Sequence, residues 1–504
     1  MSTLTSTQVD VLIVGAGISG IGAAYHLSAR APGTTYAVLE GRDAIGGTWD
    51  LFRYPGIRSD SDMPTFGYDH KPWTHEKSIS EARYILDYLR ETVTENGIDG
   101  HIRFGHRVLR ADFSTATGRW TVTARNASDE VVEFSARFLF SGTGYYDYEG
   151  GHTPDFAGIE DYRGTVVHPQ FWPEDLDYTG KKVVVIGSGA TAVTIVPSML
   201  TGAPGAPGAG GRAAHVTMLQ RSPGYVLSLP GTDPIAELLN RVLGHDRAYP
   251  LIRRKNIQQQ RLTYKFCRRF PKLARRLLIA DVRRRLPKDF DVDTHFTPAY
   301  DPWDQRLCMV PDGDLFTAIS GGGASVVTDR IDRFTPNGIL LVSGAELEAD
   351  IIVTATGLNM KPMGGIQLRV DEQPVDLSET TVYKSMMLSG VPNFVFAIGY
   401  TNASWTLKVD IVCEHFVRLI QHMDASGQAT MVPVMDEPGM ARLPLFDLGA
   451  GYVRRRIASF PHGGDRGPWT ATMAYEQDVA RLRHGPVEDP ALHFTPKRSA
   501  EVAA

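Results

Sequence analysis

Cysteine is scarce in this chain. Its 504 residues hold three, Cys267, Cys308 and Cys413, far apart and none in a Cys-x-x-Cys pair. That spacing excludes a disulfide scaffold, a zinc ribbon and a redox dithiol, and it fits a reducing compartment. Neither sign of charge dominates: 52 basic against 57 acidic residues leave a formal net charge of −5. Nothing therefore drives the chain as a whole towards nucleic acid or an anionic membrane. No apolar run approaches the ~20 residues of a membrane span. Met1 to Ser6 lacks the basic and apolar segments of a signal peptide. A cytoplasmic enzyme of two or three domains is the expectation.

Glycine, by contrast, is placed with purpose. Gly15-x-Gly17-x-x-Gly20 follows the strand-like run Val9 to Val14, and Gly187-x-Gly189-x-x-Ala192 follows Lys182 to Ile186. A helix-like stretch comes after each, which is the context in which such a motif binds a dinucleotide. The first glycine permits the tight turn, and the second lets backbone approach a pyrophosphate. The third small residue brings the helix close, with its N-terminal N–H groups facing the phosphates. Two such units imply two dinucleotides.

The second strands separate the two sites. Tyr36 to Leu39 ends in Glu40, whose carboxylate accepts from ribose hydroxyls and repels a 2′-phosphate, so this site reads as FAD or NAD. His215 to Gln220 ends instead in Arg221 and Ser222, which suit a 2′-phosphate and read as NADP. The Gly/Ala/Pro-rich insert from Thr201 to Gly211 reads as a surface loop.

The remaining pattern gives an α/β fold: two interleaved Rossmann-like dinucleotide-binding domains, for FAD and NADP, with a mainly helical insertion. We expect residues 1–145 to form the first part of the FAD domain. Residues 146–230 would form the NADP domain, 231–300 the insertion, 301–375 the return of the NADP domain, and 376–504 the rest of the FAD domain. Ile79 to Asn96 has helical spacing. Arg107 to Phe113, Arg119 to Ala124 and Val131 to Phe134 read as a β-meander, with Phe138 to Gly144 a further buried strand. The insertion carries a long basic run from Arg253 to Lys288 with interleaved apolar residues. It reads as a cap helix with a solvated basic face, in preference to a membrane-docking surface.

Between the nucleotide units stands Tyr162-Arg163-Gly164-Thr165-Val166-Val167-His168-Pro169-Gln170-Phe171-Trp172-Pro173. It resembles the type I Baeyer–Villiger monooxygenase fingerprint, FxGxxxHxxxW followed by P or D, with Tyr162 in place of Phe. Gly164, His168 and Trp172 are its fixed members. Related N- and S-oxygenating flavoproteins usually end the pattern in Tyr or Phe, so Trp172 favours the Baeyer–Villiger side. Gly46 to Met63 is similar to the family's flavin-covering segment, and Tyr300 to Cys308 to its catalytic-arginine segment. Val391 to Trp405 is similar to its late flavin-contacting strand and loop. The wording of the last two is closest to the ethionamide-activating subgroup. Gln305 departs from the Lys that many relatives carry before the catalytic arginine, which places more of the 2′-phosphate load on Arg221 and Ser222.

The resemblance implies an NADPH- and O2-dependent flavin monooxygenase that forms a C4a-peroxyflavin and converts apolar ketones to esters or lactones. It also implies oxygenation of sulfides or thioamides; an N- or S-oxygenating enzyme without ketone activity is the alternative. It assigns Arg306 as the cation at the oxygen adduct and Asp60 as its orienting partner. FAD would be held by Gly15, Gly17, Ser19, Gly20, Glu40, Gly47, Thr48, Trp49, Asp50, Leu51, Asp60 and Val108. NADP would be held by Arg58, Ser59, Asp60, Gly187, Ser188, Gly189, Ala190, Thr191, Ala192, Val193, Thr194, Arg221 and Ser222. His168 and Trp172 would couple domain motion to NADP position. No metal is expected.

Overall fold

A computed structural model of the chain describes residues 7–202, 211–446 and 449–497. Most of the insert from Thr201 to Gly211 lies outside the described residues.

The first dinucleotide unit builds as its sequence demands. Strand Thr7–Val14 is buried in its second half, turns at Gly15, and enters helix Ile18–Arg30. Gly15 has φ +98°, a left-handed conformation that a side chain would strain. A Cβ on Gly20 would lie 1.8 Å from the Gly15 carbonyl oxygen, so no larger residue fits there. Tyr36–Leu39 pairs parallel with Val11–Val14, placing Glu40 beside the turn.

Strand Val131–Ser141 is one continuous element, where the sequence reads as two strands. Ser135-Ala136-Arg137 contains no turn residue, so the strand runs on and changes partners. Its first half pairs antiparallel with Arg119–Arg125 in the meander. It pairs parallel with Thr7–Val14 along its length from Phe134, and its end pairs parallel with Phe394–Phe396. A late strand thus completes the first sheet. Gln367–Val370 also hydrogen-bonds into this sheet, against Arg110–Phe113, although it falls within the 301–375 span expected for the second domain.

The second sheet is parallel throughout, in the order Ala324–Thr328, His215–Gln220, Lys182–Ile186, Ile351–Thr354, Thr165–Val167. Helix Ala190–Thr201 follows its glycine turn. Separate apolar clusters underlie the two units: Val11, Ile13, Phe138 and Phe416 belong to one, and Val183, Val185, Val193 and Val353 to another.

The insertion is helical, as expected: Pro234–Leu243, His245–Arg269, Pro271–Arg285 and Val292–Phe296. Arg253 pins it to the first unit. Buried at 6 % exposure, its Nη1 donates to the carbonyls of Pro64 at 2.8 Å and Gly67 at 2.7 Å. No described helix is long and apolar enough to cross a membrane.

Candidate active site

One cavity of about 500 Å³ runs between the two units. The first glycine turn and Glu40 line it on one side. Thr48, Trp49, Arg58, Ser59 and Asp60 form a wall, and Ala190, Thr191 and Thr194 approach from the second helix. Gly15, Gly17, Ser19, Gly47, Val108 and Arg306 complete the expected residues found in its lining.

Arg306 and Asp60 meet here from positions 246 residues apart. Nη2 of Arg306 donates to Oδ1 of Asp60 at 2.8 Å and lies 2.7 Å from Oδ2. About a third of each side chain is accessible, 33 % and 29 %, and both line the cavity. Burial of the guanidinium opposes its charge. Asp60, followed by Tyr452, Tyr145 and Tyr146, more than offsets this and holds its pKa above arginine's ordinary value. The site therefore presents a permanent cation to the cavity. Burial, together with Asp60, also pushes the nearby Cys308 thiol up to about 12, so it stays protonated.

The dinucleotide end is set by backbone. Oε2 of Glu40 accepts from the Ala16 N–H at 2.7 Å and Oε1 from the Arg42 N–H at 2.9 Å. This fixes a carboxylate at the mouth of the glycine turn. The indole Nε1 of Trp405 donates to Oγ of Ser19 at 2.8 Å, clamping the late loop to the helix start. Trp49 stands edge-on to Phe66 with ring centroids 5.5 Å apart. The lining, with an open glycine turn, a fixed ribose-type acceptor and aromatic walls, fits an adenine dinucleotide bearing a flat ring system.

Several expected residues support the site without lining it. Asp50 is buried and ion-paired to Arg42 at 2.6 Å, and Leu51 packs on the second core. Gly20 seats the first helix. Ala192 and Val193 lie on the buried face of the second helix. Gly189 is exposed, and a Cβ there would meet nothing within 4 Å, which leaves room for a phosphate. Ser188 Oγ donates to the Ser222 carbonyl at 3.1 Å, joining the Gly187 turn to exposed Arg221 and Ser222. A second phosphate-bearing ligand fits this open rim.

The linker fingerprint is bonded to neighbouring backbone. Nε2 of His168 lies 3.2 Å from the Gly357 carbonyl, and its Nδ1 accepts from the Gln170 N–H at 3.2 Å. Burial lowers its pKa, which matches a neutral ring bonded in this way. A Cβ on Gly164 would lie 2.5 Å from the Asp350 carbonyl. The Tyr162 hydroxyl, the departure from Phe, donates to the Ala349 carbonyl at 2.9 Å. Trp172 is buried in the second core.

Residues that the motifs did not single out complete the cation's surroundings. Tyr145 and Tyr146 line the cavity, their hydroxyls 3.4 Å apart, and burial raises the pKa of both. Gly142 to Gly144 just before them was the available signal, a glycine-rich end to a buried strand facing the first dinucleotide turn.

Comparison with known proteins agrees with this geometry. A pyridine nucleotide-disulphide oxidoreductase family model matches residues 12–200, which span both glycine motifs. The FAD-containing monooxygenase EthA of Mycolicibacterium smegmatis is 51 % identical over 98 % of this chain and 99 % of its own length. EthA of Mycobacterium tuberculosis is 50 % identical over the same shares. An oxidised steroid monooxygenase solved with NADP bound has the same fold, with TM-score 0.73 at 22 % identity over 97 % of this chain and 100 % of that one. With this identity over nearly its whole length, the chain belongs to the EthA family of FAD-containing monooxygenases.

Proposed function

We propose that the protein is an NADPH- and O2-dependent Baeyer–Villiger monooxygenase that converts apolar ketones to esters or lactones and also oxygenates sulfides or thioamides. The observation that carries this reading is the Arg306–Asp60 pair, which lines the same cavity as the Gly15–Gly17 turn and Thr191. FAD would lie along Gly15, Gly17, Ser19, Glu40, Thr48 and Trp49. NADP would occupy Arg58, the Ser188–Thr194 turn, Arg221 and Ser222. When bound, the flavin accepts hydride from NADPH and activates O2.

The chain's own residues do the rest. The guanidinium of Arg306, kept charged by Asp60, holds an oxygen nucleophile in its anionic form and stabilises the oxyanion that develops on the ketone. Such a contact is worth ~10²–10³-fold in rate. Asp60 fixes the guanidinium's orientation through two oxygens. The walls from Trp49, Tyr145 and Trp405 exclude water, which favours an apolar substrate. Arg221 and Ser222 hold a 2′-phosphate in the role that a lysine at position 305 would share.

The test is product analysis under labelled O2. Purified yellow protein should oxidise NADPH faster when ketone is added, and the ester should carry one labelled oxygen. Peroxide release without ester, or sulfide oxygenation with no ketone turnover, counts against the proposal.

A further inference from the structure

Charge and apolar exposure are both concentrated in the helical insertion. From Arg247 to Ala280 the chain carries eleven Lys and Arg and no Asp or Glu, within a protein of net charge −5. Nine of the fifteen exposed large hydrophobic side chains among the described residues lie between positions 235 and 277. The sequence reads this run as a solvated basic face; the structure leaves its aliphatic groups uncovered as well.

The exposed groups follow helical spacing. Ile235, Leu238 and Val242 recur at i, i+3 and i+7 on Pro234–Leu243, with Val242 70 % exposed. Leu273 and Leu277 recur at i and i+4 on Pro271–Arg285, and Phe270 stands exposed at the corner before them. The inner side of the insertion is already satisfied: Arg253 bonds the Pro64 and Gly67 carbonyls, and Arg261 and Lys265 pair with Glu476. Among the described residues no carboxylate lies within 4.0 Å of Arg247, Arg254, Arg269, Lys272 or Arg276, all exposed. Cations without a carboxylate partner, interleaved along the sequence with bare aliphatic side chains, match an interface that offers phosphates outside and acyl chain beneath. A second copy of the same face would bring like charges together. Nucleic acid would leave the aliphatic groups without a role, since its bases stack on aromatic rings.

We propose that the 231–300 insertion is a peripheral docking surface for an anionic lipid bilayer. Its exposed arginines and lysines pair with headgroup phosphates, while Ile235, Leu238, Val242, Leu273 and Leu277 enter the boundary between headgroups and acyl chains. This surface is independent of the Arg306 cavity and of the ketone chemistry.

Flotation of the full-length protein with phosphatidylcholine vesicles, with and without phosphatidylglycerol, tests this. Partitioning should be at least about tenfold greater with the anionic vesicles and should fall with added salt. Arg269→Glu/Lys272→Glu/Arg276→Glu should abolish it, and Val242→Ser/Leu277→Ser should weaken it roughly tenfold. Circular dichroism and thermal unfolding of both variants should match the parent protein, which separates lost docking from lost fold. No flotation at low salt, equal flotation with neutral vesicles, or full binding by both variants would overturn the proposal. So would a dimer in light scattering that Val242→Ser/Leu277→Ser dissociates, or duplex DNA binding without vesicle binding.

Discussion

Lys408 and Asp478 form an ion pair at 2.6 Å in which the two side chains are 2 % and 0 % exposed. The carboxylate also accepts from the hydroxyls of Tyr400 at 2.7 Å and Thr472 at 2.5 Å. Burial draws the Lys408 pKa below its ordinary value, and Asp478 acts against that fall. Lys408 sits in the first turn of helix Trp405–Ala425. The same carboxylate therefore braces Tyr400 and the Trp405 loop, both in the cavity wall.

Lys408→Met should cost ~3–5 kcal/mol, because it leaves a buried carboxylate without its counter-ion. Urea unfolding measures the loss. Adding Asp478→Asn should recover part of it, since the uncompensated charge is then gone.

Two histidines should make the fold sensitive to acid. Burial holds His70 and His415 down to about 3, against ~6.5 in an unfolded chain. Between these values the unfolded state binds protons that the folded state does not, so stability is complete above ~6.5 and falls as pH drops towards 3. The slope should approach ~1.4 kcal/mol per pH unit for each histidine. Urea titrations from neutral pH to about 5 should show it, and His70→Phe should reduce it by one histidine's share.

Arg221→Ala should weaken NADPH selectively. A charge-assisted bond to phosphate is worth ~1.5–3 kcal/mol, so KM for NADPH should rise roughly 10–100-fold. KM for NADH should change little, because it has no 2′-phosphate. Equal effects on both cofactors would remove Arg221 from this role.

Local spacing made the two glycine turns and Glu40 legible in the sequence, and resemblance to a known family did the same for the linker fingerprint and the Arg306 segment. Each is a short run whose backbone demands are written in consecutive residues. Pairings between distant segments were not legible. Nothing near Trp405 announces its bond to Ser19, 386 positions away. Asp478 lies in a stretch without a motif, yet it fixes Lys408. The partner change of strand Val131–Ser141 and the entry of Gln367–Val370 into the first sheet depend on tertiary pairing. The insertion's periodicity revealed helices, but whether its aliphatic side was covered depended on what packs against it.

Replacing Arg306 by Ala, with ketone, NADPH and O2 supplied and both ester and NADPH followed, tests the central claim most directly. Ester formation should fall ~10²–10³-fold or more while NADPH oxidation continues, its reducing power released as peroxide. Undiminished ester formation by Arg306→Ala would contradict the account.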